Sequence, residues 1–175
     1  KLQEIITDIG NMGVKALTFS GGGEPLTYPH IVDAAEKLKG YGIDLSLITN
    51  GQLLKEKRAE AFAAAKWVRI SFDSPRANLY ARLRRIPESS FHQVCENIRD
   101  FSKNKNKDCV LGVNFVISKA NCDYVYEAAA LLKDLGVDNV KFAAVVENER
   151  QYHVPIKDKV IEQIHRAEKD LSAPE

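Results

Sequence analysis

"TFSGGGEPLTYPHI", Thr18 to Ile31, decides how the chain is read. Three consecutive glycines and a lone acid follow an apolar run, and the rigid Pro25 stands directly behind Glu24. A turn needs one or two glycines. Glycine lacks Cβ, so it takes positive φ and lets a ligand lie directly on backbone N–H and C=O groups. A run of three makes the main chain itself a candidate binding surface. Glu24 adds a carboxylate that accepts hydrogen bonds from an ammonium or hydroxyl group, and Pro25 narrows the conformations open to it. The stretch also reads as an ordinary turn between a strand and a helix. A phosphate cradle fits it less well, because such loops use a lysine or an exposed helix N-terminus and no acid.

Outward from this stretch the apolar periodicity alternates between two kinds. Helix-like spacing covers 1–12, 28–40, 52–65, 88–103, 122–135 and 156–170, and β-rich runs begin near 14, 43, 67, 110 and 139. Pro29 suits the first turn of its helix, Gly13, Gly40 and Gly136 stand where helices should stop, and Asn121 can cap the helix behind it. "SKNKNKDC" (102–109) reads as a lysine-rich surface connection. Strands joined through helices run parallel with right-handed crossovers. The class is therefore α/β, as an open doubly wound sheet or a (β/α) barrel, and both bind ligands at the strands' C-terminal ends.

The two-residue period of a strand sorts the side chains. In "KWVRISFDS" (66–74), Val68, Ile70 and Phe72 face one way and Arg69, Ser71 and Asp73 the other. Leu17 and Phe19 likewise oppose Ala16, Thr18 and Ser20, and Val113, Phe115 and Ile117 oppose Asn114 and Ser118. A closed barrel fills its interior with branched apolar layers, and an unpartnered buried polar group costs about 1–3 kcal/mol. Polar interiors on three strands therefore meet each other, water or a ligand. Two further strand ends, "ITNG" (48–51) and "SFDS" (71–74), follow GGGEP on consecutive strands, so their side chains should ring one mouth.

Composition bounds the partner. Twenty-five basic residues against 24 acidic leave a formal charge of +1, which argues against nucleic acid and an acidic membrane surface. No stretch approaches the roughly 20 apolar residues of a membrane span, and Lys1 opens without the pattern of a signal peptide, so a cytoplasmic protein with a small-molecule partner is expected. Cys95, Cys109 and Cys122 match no metal-ligand spacing and read as small buried residues, and the four histidines show no paired spacing. No metal ligand is assigned. The tail beyond Val146 is more polar and closes on "LSAPE".

The ordered set GGGEP, TNG and S-x-D at three successive strand ends resembles the radical S-adenosylmethionine (radical SAM) superfamily, over nearly the whole chain. "WVRISFDSPRANLYARLRR" (67–85) is similar to the fourth-strand region of its subgroup with a C-terminal cysteine-rich auxiliary-cluster domain. The resemblance implies a partial (β/α)6 TIM-like barrel, here about five parallel strands, the family's second to sixth, with helices outside. It makes 1–175 a single domain, a fragment lacking the first strand and the CxxxCxxC loop that holds a [4Fe–4S] cluster. Cys95, Cys109 and Cys122 cannot replace that loop, so the fragment alone should be inert and the cluster ligands should lie outside it.

By resemblance, Gly22, Gly23 and Glu24 receive the methionine amino group of S-adenosylmethionine, Ser71 and Asp73 reach its ribose or carboxylate, and Asn50 and Asn114 line the same cavity. The sixth family strand, "VKFAAVV" (140–146), passes the adenine with Ala143 and Ala144. Arg76, Arg82, Arg84 and Arg85 read as a solvated helix face from which one could pair with a carboxylate. The implied chemistry is reductive cleavage to a 5′-deoxyadenosyl radical that abstracts hydrogen from a small-molecule or peptide substrate, with a flavodoxin- or ferredoxin-type electron donor. Two other readings stay open: a non-catalytic S-adenosylmethionine-binding module that lost its cluster, and a phosphosugar isomerase or aldolase-like barrel using Lys141 with Asp73.

Overall fold

The computed structural model describes residues 2–147 and 151–172. Lys1, at the start of the first expected helix, and the last three residues of the LSAPE tail lie outside them. Five strands, β1 (Ala16–Phe19), β2 (Asp44–Thr49), β3 (Trp67–Ser71), β4 (Val110–Ile117) and β5 (Asn139–Ala144), pair in parallel in the order of the chain. Each crossover therefore steps one strand in the same direction. A doubly wound sheet would reverse that order at a switch point; none occurs here. The C-terminal ends of all five strands lie along one rim.

The helices α1 (Leu2–Asn11), α2 (Ile31–Gly40), α3 (Glu56–Phe62), α4 (Ala77–Arg84), α5 (Ser89–Asn104), α6 (Val125–Asp134) and α7 (Lys157–Leu171) fill the connections. Sequence spacing explains how they bury. In α2, Ile31, Ala34, Ala35 and Leu38 make one buried stripe, and in α5 Phe91, Val94, Ile98 and Phe101 do the same. These stripes meet Leu47, Val68, Ile70, Leu111 and Val113, each 0% exposed. Burial of each such side chain contributes roughly 1.5–3 kcal/mol. The opposite sheet face carries the rows Ser71–Asn114–Lys141 and Arg69–Gly112–Asn139, in register across β3, β4 and β5. It is left open by the helices, and the polar file expected from the strand period stands on it.

Local expectations were changed where hydrogen bonds override composition. Gly13 and Gly136 do end α1 and α6 with φ of 73° and 83°, but α2 runs through Gly40 and turns at Gly42, φ 71°. There Ile43 N reaches Leu38 O at 3.3 Å and Gly42 N reaches Lys39 O at 2.8 Å, the paired bonds of a left-handed C-terminal cap. Pro29 precedes α2 instead of opening it; Pro25 occupies the first position of a short 3₁₀ turn, Pro25–Thr27. Asn121 caps nothing with its side chain. α5 reaches Asn104 and so takes in the first residues of the lysine-rich stretch. α4 is the helix whose face was read from its arginines, though the apolar spacing had not marked it, and no described helix is long and apolar enough to cross a membrane.

Candidate functional site

The rim is assembled around Glu24. Its Oε1 accepts from Leu26 N at 3.1 Å and from the Thr49 hydroxyl at 2.7 Å, and its Oε2 accepts from Asn50 N at 2.7 Å. The carboxylate thus fastens the loop after β1 to the end of β2. Thr49 is buried and accepts in turn from Gly51 N at 3.0 Å. Asn50 turns its Oδ1 to Gln52 N at 2.9 Å, the turn chemistry of an Asn-Gly pair. Glu24 also occupies the N–H at the start of the 3₁₀ turn, and α2 begins only at Ile31. This loop therefore presents no helix N-terminus to a phosphate.

The glycines above this brace are exposed, and a Cβ built at Gly21, Gly22 or Gly23 would meet no atom within 4 Å. Only Gly21, φ 152°, has a conformation that disfavours a side chain. The protein's own packing does not account for bare backbone at Gly22 and Gly23. Beside the loop lies a cleft of about 260 Å³ lined by Gly21, Gly23 and Glu24, by Ile48 and Thr49 of β2 and Asn50 just after it, by Ser71 of β3 and by Arg84 of α4. It is slightly smaller than the roughly 300–1,000 Å³ of enclosed ligand pockets, so a nucleoside-sized ligand would extend from it along the open sheet face. A larger groove, about 520 Å³ between α3 and α5, contains no strand end.

Of the residues expected at the mouth, Gly23, Glu24, Asn50 and Ser71 line the cleft, and Gly22 stands in the loop between two of its glycines. Asn114 lies next to Ser71 in register on the same face, one strand away. Asp73 sits behind the cleft, with Oδ2 accepting from Arg84 Nη2 at 2.6 Å and Oδ1 from Val116 N at 3.1 Å. The buried Asn121 supports it, donating to Asp73 O and Val116 O at 2.9 and 2.8 Å while accepting from Ser118 N at 2.7 Å. Ala143 shares the open face, in register with Val116, whereas Ala144 aligns with Ile117 on the helical side; the strand period separates the two alanines.

Arg84 was read as part of a solvated helix face and is instead the cleft's cation. It is held by Asp73 and lies 5.2 Å from the Tyr80 ring, and its Nε is buried without a partner. Arg76 is on the surface, paired with Glu127 at 3.0 Å. Burial pushes the Tyr80 phenol up from its ordinary value. The sequence allowed one of the four arginines to pair with a carboxylate, but no signal singled out Arg84 among them. Lys141 stands in the row of Asn114 and Asp73 is bonded to Arg84, so these two residues form no acid–base pair.

A [4Fe–4S] cluster finds no ligand set among the described residues, where no three of His, Cys, Asp and Glu converge. Cys109 and Cys122 are buried, with their sulfurs directed at Phe62 O and Lys119 O. Burial raises all three thiols, Cys95 to about 11, against the thiolate a cluster requires. For S-adenosylmethionine the donor set fits: bare glycine backbone, a carboxylate, a hydroxyl and a cation surround one cleft.

A family model described as the Radical SAM superfamily matches residues 1–132. An AdoMet-dependent heme synthase of Methanosarcina barkeri is 29% identical over 136 residues, 77% of this chain and 38% of that protein. A cofactor-modifying protein for the tungsten-containing aldehyde ferredoxin oxidoreductase of Pyrococcus furiosus is 30% identical over 71% of this chain and 36% of its own length. The chain spans less than half of either relative. Among solved structures, Streptococcus suis SuiB bound to S-adenosylmethionine superposes with a TM-score of 0.69 at 18% identity, over 95% of this chain and 40% of that one. Native anSMEcpe with bound AdoMet gives 0.69 at 17%, over 94% and 50%. At these identities the likeness is one of fold, the partial TIM-like barrel. With 132 of its 175 positions matched, the chain belongs to the radical SAM superfamily.

Proposed function

We propose that this chain is the cofactor- and substrate-binding part of a radical SAM enzyme whose cluster ligands lie outside it. S-adenosylmethionine places its methionine amino group on the backbone of Gly22 and Gly23 and on the Glu24 carboxylate. Its carboxylate lies toward Ser71 and Arg84, with Asp73 holding the guanidinium in place, and Asn50 and Asn114 flank the nucleoside along the open face. When bound together, S-adenosylmethionine and a [4Fe–4S] cluster supply hydrogen-atom abstraction from an unreactive C–H bond, with electrons from a flavodoxin- or ferredoxin-type donor. The chain's own work is positioning: it fixes the ligand's polar end by main chain and charge, and orients a small-molecule or peptide substrate beside it.

The observation that carries this reading is the bare backbone at Gly22 and Gly23, which the fold itself does not require. Its test follows directly. A Cβ at Gly23 meets no protein atom within 4 Å, so Gly23→Val should leave the unfolding temperature nearly unchanged. Its Cβ occupies the ligand's approach, so calorimetric titration of S-adenosylmethionine should show affinity reduced at least tenfold, about 1.4 kcal/mol. Equal affinity in the variant, or no binding by the unaltered chain at millimolar ligand, would sink the assignment.

A further inference from the structure

We infer that the open face of the sheet holds an oxyanion group of the substrate, a carboxylate or phosphate, between Arg69 and Lys141. The inference rests on the reading of the neighbouring cleft as the cofactor site. Arg69 lies on β3 two residues before Ser71, on the same face, and Lys141 stands in register with Asn114, itself in register with Ser71. Lys141 therefore stands beside Asn114 in the cleft's own row, and Arg69 lies on the other side of Asn114, one row inward. Neither makes an ion pair with a described residue, and the acids nearest the face are engaged: Glu24 by three donors, Asp73 by Arg84 and Val116 N.

Arg69 carries the second observation. Its guanidinium stacks 5.2 Å from the Trp67 ring, and its Nε is buried with no hydrogen-bond partner. Among the described residues only the Tyr80 hydroxyl and Arg84 Nε are orphaned in the same way, and Arg84 already has Asp73 on its Nη2, so the Arg69 Nε–H calls for an explanation of its own. A small rotation off the indole turns the Nε–Nη edge outward, where a planar oxyanion takes both donors side by side. Lys141, exposed on the adjacent row, adds a mobile ammonium on the far side, and the Asn114 amide lies between. Gly112, in register with Arg69, adds no side chain of its own, and the Asn139 amide leans over it, its Oδ1 2.9 Å from where a Cβ would stand, so that amide borders the anion's place from the β5 side. A substrate anchored there would extend its reacting carbon toward the rim where S-adenosylmethionine lies, and a neutral analogue would lose the anchor.

The chain contains a single tryptophan, Trp67, so its emission reports the unstacking of Arg69. We would titrate the chain with glutarate, inorganic phosphate and neutral glutaramide at constant ionic strength, reading fluorescence. Saturable change with glutarate or phosphate and none with glutaramide is expected, the better of the two anions identifying the group. Arg69→Gln should abolish saturation and Lys141→Gln should weaken it at least tenfold, while Lys103→Gln on the outer helix leaves it unchanged. S-adenosylmethionine affinity, measured by calorimetry on the same variants, should stay within twofold. Non-saturable change, or saturation that survives Arg69→Gln and Lys141→Gln, overturns the proposal; a fall in thermal stability of Arg69→Gln with unaltered anion response leaves Arg69 only its stacking role and also overturns it. If anions saturate but S-adenosylmethionine never binds, the cofactor reading fails and the anion site stands alone.

Discussion

Glu24→Gln separates bracing from ligand binding. The carboxylate meets three donors, Leu26 N, the Thr49 hydroxyl and Asn50 N, and an amide cannot serve them all. With its oxygen toward Leu26 and Thr49, its NH₂ faces the Asn50 N–H donor to donor. Flipped, the NH₂ faces Leu26 N–H instead, even if the Thr49 hydroxyl rotates to accept. Each orientation leaves a backbone N–H without its acceptor, at about 1–2 kcal/mol after water in the open cleft takes part of the loss. For a chain of this size about 1 kcal/mol moves Tm by roughly 2–4 °C, so Glu24→Gln should melt roughly 2–8 °C lower in the absence of any ligand. Glu24→Ala, with all three bonds gone, should lose about 3 kcal/mol. Circular dichroism melts and urea midpoints read both. A double-mutant cycle with Thr49→Val should return a coupling of about 1 kcal/mol, because the two side chains touch. A Gln variant that melts within a degree of the parent, with coupling near zero, refutes the brace and leaves Glu24 to the ligand alone.

Asn121→Ala should destabilise by about 2–4 kcal/mol in urea unfolding, since it strips buried bonds from Asp73 O, Val116 O and Ser118 N at once; a loss below about 1 kcal/mol would show that β3 and β4 hold their ends without it. Cys95 should react with iodoacetamide roughly a hundredfold more slowly than a free thiol at pH 8.5, because burial pushes it up to about 11. The sign for stability follows: the folded protein holds the thiol proton more tightly than the unfolded chain. Its contribution is therefore complete below about pH 8.5 and is lost as pH rises toward 11. Cys95→Ala should flatten that alkaline decline, and an unchanged pH profile would place the titration elsewhere.

The strand period was legible because it is local: Val68, Ile70 and Phe72 alternate with Arg69, Ser71 and Asp73 in five consecutive bonds of chain, and burial on one face follows. The βα order fixed the class, while doubly wound and singly wound sheets share that order and differ only in which strands pair. The register of β1 through β5 was needed to choose. α4 was legible only as a helix face bearing arginines and not from apolar spacing, because Leu79 and Tyr80 are its only buried residues and Arg85, φ 55°, ends it where a glycine would have signalled a stop. Which of its arginines would meet the Asp73 carboxylate was not legible. Asn121 looked like a cap by residue type, yet its amide reaches Asp73 across 48 positions, and no window along the chain contains such a bond. Glu24 shows the same division. Its composition marked it as special, but its bonds run 25 and 26 positions forward to Thr49 and Asn50, so whether it served a ligand or the fold was undecidable from the stretch alone. The two roles are compatible by lone-pair count: Oε2 accepts one bond and can accept another. The residue that locks the rim is then also the one whose remaining acceptor faces the cleft, and its geometry is set before any ligand arrives. A pre-fixed acceptor loses little freedom on binding, which gives a physical reason to place the acid where three donors immobilise it and the open glycines where nothing does.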